Sequence, residues 1–468
     1  MAGIVAYGAY IPMYRLSRAI LGQVWGGGGK GEKAIANWDE DSITMAVEAG
    51  MDCLAGIDHK SVDALYLGTT TPPFKEKQSA SIVAAGLDLR EDAVAADFGN
   101  SLRAGTLALK AALDAVKAGS AKHVLVIASD GRIPAPNSAY EPLFGDAAAA
   151  LLIGAENVVA EIDASYYLTS EFIDIWRLEY DKLPRAWEER FILDEGYEPH
   201  IKKAIKALFD AKGVAGKDFA KAAFYAPNAR SHGNVAKAMG LKAQDPLFDS
   251  VGNTGAALAL MTLVGALEEA SPGDKILLAN YGDGADAHMV SVAAGIDKLK
   301  DRRGIKKHLE SKMMLENYGK YLRFRDMMEF EQTPMTRPRT SLPAMWRDRN
   351  WVYRCHGHKC SKCGKVQFPF QKRCMYCQAD SKYLEEVPLA HRKGVLATFS
   401  MDERAAIVDP PNVLAAVNFD EGGRVFSQMT DRDVNNIEVG MRMEMTFRKI
   451  HDALGVHNYS WKVRPVRV

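Results

Sequence analysis

The strongest constraint on the fold of this chain is that it repeats its own plan. Residues 96–131, "ADFGNSLRAGTLALKAALDAVKAGSAKHVLVIASDG", and residues 249–284, "DSVGNTGAALALMTLVGALEEASPGDKILLANYGDG", share one design: a small polar turn, a helix rich in Ala and Leu, then an apolar strand ending in a glycine turn. Identity between the two is low, so what repeats is structure. Two copies of one strand–helix unit imply an α/β layered architecture, with helices covering a sheet. The rest of residues 1–300 fits it. "VDALYLGTTT", "HVLVIASDG" and "AAAALLIGA" are continuous apolar runs, the pattern of strands buried on both faces. "EDSITMAVEAGMDCLAG", "SASIVAAGLDL" and "IKKAIKALFDAKGV" carry helical periodicity. The two halves are expected at 1–160 and 161–300.

Residues 301–345 change character, becoming charged, Met-rich and then Pro-containing. They read as a solvated helical linker ending in an extended segment. Beyond it, "GVLATFSMD", "VLAAVNFDEGGRVFSQMT" and "RMEMTFRKI" alternate in the manner of short strands with glycine turns. The expectation is a small β-barrel over 383–468, preceded by a cysteine-bearing module at 346–382.

Charge and cysteine usage narrow the function classes. The 468 residues carry a formal net charge of +0, which gives no reason to expect a nucleic-acid partner. No apolar run approaches the roughly 20 residues of a membrane span. The start, "MAGIVAYGAYIPMYRLS", lacks a basic n-region and reads as a first strand, not a secretory signal. Four of the six cysteines cluster in "CSKCGKVQFPFQKRCMYC". That pattern points to a metal site in a reducing cytoplasm and not to disulfides. Cys360 and Cys363 form one CxxC knuckle and Cys374 and Cys377 a second. Together they supply four thiolates to a structural zinc with no open position. Cys355 and His356 lie nearby as substitute ligands or, in the preferred reading, bystanders, and Cys53 sits in an apolar helix pattern as core. The run "GGGGKGEK", Gly26–Lys33, lacks the spacing of a phosphate loop and reads as a surface loop.

Seven stretches, "GIVAYGAYIPMYRL", "DEDSITMAVEA", "ALYLGTTTPP", "ADFGNSLRAGT", "FYAPNAR", "VGNTGAALAL" and "ILLANYGDGADA", carry a family resemblance in the same order. Over residues 1–300 the chain resembles the 3-hydroxy-3-methylglutaryl-CoA synthase branch of the thiolase superfamily, most of all its archaeal and bacterial members. Its C-terminal part is similar to the zinc-ribbon and OB-fold acyl-CoA-associated proteins that accompany thiolase-like enzymes. The resemblance implies a duplicated, five-layered thiolase fold followed by a zinc ribbon and an OB-fold. It also implies an acyl-CoA substrate and a homodimer, with a larger complex containing a second thiolase-like subunit as an option.

Such enzymes place a cysteine thiolate at a helix N-terminus to form an acyl-enzyme, with a His and a Glu for proton transfer. In this chain Leu102 stands in the cysteine's slot, Tyr225 in the histidine's and Thr70 in the glutamate's. The resemblance then implies cysteine-independent chemistry. Thiolase-like aldolases of steroid side-chain degradation, which work with a zinc-ribbon/OB-fold partner, are similar in lacking the thiol. On that pattern Tyr225 is the acid/base, suited to an alcohol if its pKa is lowered. Asn253 and backbone N–H groups near Gly282 polarise the thioester, and Tyr281 and Ser101 are second candidates. Ser101 also reads as an N-cap. His232 reads as a surface-loop histidine that could rotate in. Arg230 and Lys237 are candidate contacts for CoA phosphates, with Asn228 and Gly282 in the surviving framework. Two alternatives remain: a non-catalytic acyl-CoA-binding or scaffold subunit, and a Claisen-type synthase or thiolase with a displaced nucleophile.

Overall fold

The computed structural model describes residues 2–27, 29–329 and 340–467. The chain divides into two compact units, one of Met1–Ala36, Asp41–Ala84 and Leu89–Tyr321, the other of Asn37–Glu40, Ala85–Asp88 and Leu322–Val468.

The first unit is built on nine strands: β1 (Gly3–Tyr10), β2 (Ala64–Gly68), β3 (Val94–Phe98), β4 (Val124–Asp130), β5 (Ala147–Gly154), β6 (Ala160–Thr169), β7 (Lys221–Phe224), β8 (Lys275–Tyr281) and β9 (Gly284–Val292). They hydrogen-bond in the order β7-β8-β9-β6-β1-β5-β4-β2-β3. The pairs β2–β3, β2–β4 and β7–β8 are parallel, and the others antiparallel. β1 and β6 join through only two residue pairs, Gly3 with Glu161 and Ile4 with Ala160, so the order is two half-sheets meeting at one seam. The halves correspond strand for strand, β1-β5-β4-β2 with β6-β9-β8-β7, which is the duplication legible in the sequence. Only the N-terminal half has a fifth strand, β3. Its counterpart shrinks to a single bridge between Ala222 and Ala243.

Five helices matter here: α1 (Ser42–Cys53), α2 (Ala104–Lys117), α3 (Glu198–Lys212), α4 (Ala229–Met239) and α5 (Leu258–Glu269). The repeated helices α2 and α5 meet where Gly105 lacks a side chain. A Cβ there would lie 3.2 Å from the Ala256 carbonyl and 3.3 Å from Leu260. α5 is apolar nearly all round and nine of its residues are buried, as a helix enclosed by protein must be. α1 begins at a capping box in which the Asp41 carboxylate accepts from the Ile43 and Thr44 amides. Of the stretch 301–345, Gly304–Glu310 and Tyr318–Phe324 are helical, and Met313–Met314 pairs with Tyr14–Arg15. Its expected extended end at 330–339 lies outside the described residues.

The second unit carries β10 (His356–Cys360), β11 (Val366–Gln367) and β12 (Leu384–Pro388) as a three-stranded ribbon, then β13 (Lys393–Asp402), β14 (Asn412–Phe419), β15 (Arg424–Gln428), β16 (Arg442–Ala453) and β17 (Val456–Pro465). The five strands run β15-β14-β13-β16-β17. A parallel bridge between Met429 and Val463, with Thr430 N–H on the Val463 carbonyl at 2.9 Å, closes the barrel. Within this unit a buried ion cluster forms around Arg448, which reaches Asp39 and Glu40 at 3.0 Å each and Asp431 at 2.5 Å. Lys462 meets Asp39 at 2.8 Å. Burial alone would raise the Asp39 pKa, but Lys462 and Arg448 outweigh it and bring it down to about 2. Among the described residues no helix is long and apolar enough to cross a membrane.

Candidate active site and metal centre

The turn between β3 and α2 defines the site. Asn100 adopts a positive φ of 63°, which Asn tolerates better than most residues, and turns the chain so that Ser101 and Leu102 precede the helix. The helix N-cap is Arg103, not Ser101, and Arg103 provides no side-chain cap. Ser101 still serves the turn: its hydroxyl accepts from the Arg103 amide at 3.3 Å. Arg103 locks the facing turn between β8 and β9. It donates to the carbonyls of Gly282 at 2.6 Å, Asp283 at 2.9 Å and Leu168 at 3.0 Å.

Beside this junction is a cavity of about 320 Å³ whose walls include Thr70, Leu102, Arg132, Asp174 and Gly282. Leu102 offers it only hydrocarbon. Thr70 is tied down by Asp130, which accepts from the Thr70 amide at 2.7 Å and its hydroxyl at 2.8 Å. Asp130 also accepts from Thr69, Thr71 and the Ala256 amide, so its oxygens are committed to holding the loop.

Tyr225 follows β7 and is 2% exposed. It is not itself on the cavity wall, but its hydroxyl hydrogen-bonds Asn253 and Arg132, and Arg132 is. Its ring stacks on Tyr281 at 6.3 Å, and Tyr197 stands edge-on to both at 6.3 and 5.5 Å. The Tyr197 hydroxyl donates to the Tyr225 carbonyl at 2.9 Å. In this aromatic nest the condition of a lowered tyrosine pKa is not met. Burial raises Tyr225 above the ordinary range, and Arg132 and Asn253 only partly offset it. Tyr281 is raised as well, by burial and then by Asp174. Tyr140 is pushed up to about 12, first by burial and then by Tyr225.

Asn253 is a framework residue. Its amide nitrogen donates to the Ala226 and Pro227 carbonyls at 3.2 and 3.1 Å. Its oxygen accepts from Arg132 at 2.7 Å and the Gly255 amide at 3.0 Å. With its amide shared among Tyr225, Arg132 and these backbone groups it positions Tyr225 and Arg132, and the expected polarisation of a thioester does not fall to it. Nor does it fall to the Gly282 amide, which donates to the Gly284 carbonyl at 3.0 Å. The Leu102 amide nitrogen is the backbone nitrogen packed against Gly282: a Cβ at Gly282 would lie 3.0 Å from it.

His232 is not on a surface loop. It sits in α4, 6% exposed, with its ring stacked on Phe224 at 4.2 Å and edge-on to Phe248 at 6.3 Å. Burial brings its pKa down to about 4, so it is neutral packing away from the cavity wall. Asn228 caps α4, accepting from the Ser231 amide at 2.9 Å. Arg230 and Lys237 are exposed along the same helix. Arg132 and Asp174 were not anticipated from the sequence. Asp174 lies in the aperiodic stretch 170–191, and Arg132 looks like an ordinary residue after a strand.

The four cysteine sulfurs lie within 4.8 Å of one another. Two contacts measure 3.7 Å (Cys360–Cys377) and 3.6 Å (Cys363–Cys374). Sulfurs placed tetrahedrally about 2.3 Å from one ion are separated by ~3.8 Å, so the cluster fits a four-thiolate cation site. Both knuckles share one backbone pattern. Gly364 and Gln378 have φ of 71° and 61°, and their amides donate to the Cys360 and Cys374 carbonyls at 2.8 and 3.0 Å. Cys355 and His356 stay outside. His356 pairs with Asp88 and Glu386 at 3.0 Å each, and Cys355 is buried. Cys53 is fully buried as core.

The two half-sheets, the central helix pair and the helix-terminal turn define a thiolase-like protein with a C-terminal OB-fold. Residues 96–170 match the family model of 3-oxoacyl-[acyl-carrier-protein] synthase III, and residues 386–448 that of the ChsH2 C-terminal OB-fold domain. The chain belongs to the hydroxymethylglutaryl-CoA synthase family. It is 33% identical over 345 residues to the hydroxymethylglutaryl-CoA synthase of Methanopyrus kandleri, covering 70% of this chain and 98% of the relative. To that of Methanocaldococcus jannaschii it is 34% identical over 341 residues, covering 69% and 99%. Among solved structures, an HMG-CoA synthase complexed with CoA superposes with a TM-score of 0.63 at 20% identity, over 71% of this chain and 91% of that one. The 3-oxoacyl-[acyl-carrier-protein] synthase III of Aquifex aeolicus superposes with a TM-score of 0.57 at 22% identity, over 62% and 100%.

Proposed function

We propose that this protein makes or breaks a carbon–carbon bond at a CoA thioester without an acyl-enzyme, by aldol or retro-aldol chemistry. The observation that carries the reading is Leu102 on the cavity wall at the N-terminus of α2, in the slot of the family's cysteine. A hydrocarbon cannot attack a thioester, but the helix start and the Leu102 amide still favour negative charge developing on the thioester oxygen. Tyr225, which keeps its proton at neutral pH, is the acid of this reading; its hydroxyl binds Arg132 on the cavity wall, and solvent carries its proton to the substrate. Relatives named hydroxymethylglutaryl-CoA synthases, and the fold's likeness to a CoA complex, support the thioester. Arg230 and Lys237 are the proposed contacts for CoA phosphates. The four-thiolate cluster would hold a zinc that ties the ribbon together and takes no part in the reaction.

Incubation of purified protein with 3-hydroxybutanoyl-CoA and 3-hydroxy-3-methylglutaryl-CoA tests this. Shortened thioester and carbonyl product are expected from the wild type. Tyr225→Phe should be slower by about 10²–10⁴-fold, the usual worth of a positioned proton donor. Unchanged rates in the variant would remove Tyr225. An inert wild type that co-purifies with a cysteine-bearing thiolase homologue would make the chain a scaffold.

A further inference from the structure

We infer that Asp174, hydrogen-bonded by Tyr281, is the general base of the proposed reaction and takes the proton of the substrate's β-hydroxyl. The inference rests on the non-covalent reading above and supplies the group that reading lacks. Tyr225 can give a proton, but cleavage also needs an acceptor, and Thr70 leaves the glutamate slot without one.

Three carboxylates line the cavity: Glu171, Asp174 and Asp283. Glu171 and Asp283 are exposed, and only Asp174 is half-buried. Asp130, which binds Thr70 of the cavity wall, is consumed by the threonine loop. Asp174 is also the one whose position is fixed. A short ribbon pairs Ile175–Trp176 with Arg185–Ala186. The Trp187 amide donates to the Asp174 carbonyl at 3.1 Å, and the Ile175 amide to its side chain at 2.5 Å. Tyr281 adds its hydroxyl to the same carboxylate. Gly196 makes room for that hydroxyl, since a Cβ there would lie 2.8 Å from it. Burial raises the Asp174 pKa, which makes its carboxylate more basic than an exposed one. The groups facing it are Tyr281, Tyr225, Tyr140 and Asp283, with Arg132, Arg177 and Glu171 on the cavity wall.

The step balances without an added reagent. The β-hydroxyl O–H bond breaks and its proton goes to Asp174. The oxygen becomes the carbonyl of the leaving aldehyde or ketone as Cα–Cβ breaks. The bonding pair moves to Cα as the thioester enolate, and Cα takes its proton from solvent in the cavity, which Tyr225 resupplies from behind the wall. Solvent returns the proton from Asp174 to Tyr225. In the synthetic direction each transfer reverses.

The test is Asp174→Asn and Asp174→Ala with 3-hydroxybutanoyl-CoA, measuring kcat and KM with and without added formate. The expected result is a kcat lower by about 10²–10⁴-fold in both variants, KM little changed, and partial recovery of the alanine variant by formate. A folded Asp174→Asn with wild-type kcat, or an alanine variant that formate does not restore, overturns the inference. The non-covalent reading would then survive if Tyr225→Phe remained impaired. A wild type with no cleavage defeats both. Should the Asp174 variants not fold, Tyr281→Phe carries the test. Losing that donor raises the carboxyl pKa, so the acid limb of kcat is expected at higher pH, and an unmoved limb contradicts the assignment.

Discussion

Gly282 and Leu102 face each other so closely that no side chain fits between them: a Cβ on Gly282 would stand 3.1 Å from that of Leu102 and 2.9 Å from the Ser101 hydroxyl. Gly282 also has a φ of 151°, where a side chain is strained. A side chain on Gly282 would therefore crowd the Leu102 amide and displace the turn that carries it. Gly282→Ala is expected to lower kcat/KM for thioester cleavage by about 10²-fold or more, as losing one oxyanion donor does. Circular dichroism should show a retained fold. Wild-type kinetics in a folded variant would mean the amide is unused.

The same contact makes a gain of chemistry accessible. Leu102→Cys places a thiol at the start of α2, where the helix dipole favours a thiolate. Intact-mass measurement after exposure to acetyl-CoA is expected to show an acetyl adduct on the variant and none on the wild type. Thr70 is held by Asp130 and offers no base, so any condensation that follows should depend on Asp174 and be lost in Leu102→Cys/Asp174→Asn. An unmodified variant would show that the turn does not activate a nucleophile.

What could be read in advance, and what could not, follows from where each signal resides. β4 and β5 are buried along their whole length, so their apolar runs announced the central sheet. The two CxxC knuckles needed only local spacing. The missing fifth strand of the second half was not foreseeable from the repeat. The segment after α4 carries Lys242, Gln244, Asp245 and Pro246 and keeps one bridge at Ala243. His232 misled because α4 buries only Ser231, His232 and Val235, a stripe too short to show as periodicity. Whether Tyr225 meets the condition of a lowered pKa was not legible, because its surroundings come from Tyr140, Asp174, Tyr197 and Tyr281, distant in sequence. Asp174 and Arg132 had no local pattern at all.

His232 sets an acid limit on stability. Its folded pKa of about 4 lies below the ordinary 6.5, so between those values the unfolded chain binds more protons than the folded one. Stability is therefore full above pH 6.5 and falls as pH drops toward 4, by about 3 kcal/mol from this residue. Urea unfolding at pH 7 and 4.5 is expected to show a smaller acid loss in His232→Gln than in the wild type. Equal losses would locate the acid sensitivity elsewhere.

The cysteine cluster makes a metal prediction. Purified protein is expected to hold about one zinc per chain by elemental analysis. Cys363→Ser should lose it and expose 346–382 to protease, while the nine-stranded unit keeps its secondary structure. A full complement of zinc in the variant would contradict a four-thiolate site.

The most direct measurement pairs product analysis with the mass of the protein itself. Wild-type chain is incubated with 3-hydroxy-3-methylglutaryl-CoA and with 3-hydroxybutanoyl-CoA, quenched during turnover, and both the thioesters and the intact polypeptide are weighed. The account predicts cleaved thioester and an unchanged protein mass. Turnover with an acyl group covalently attached to any side chain would contradict it.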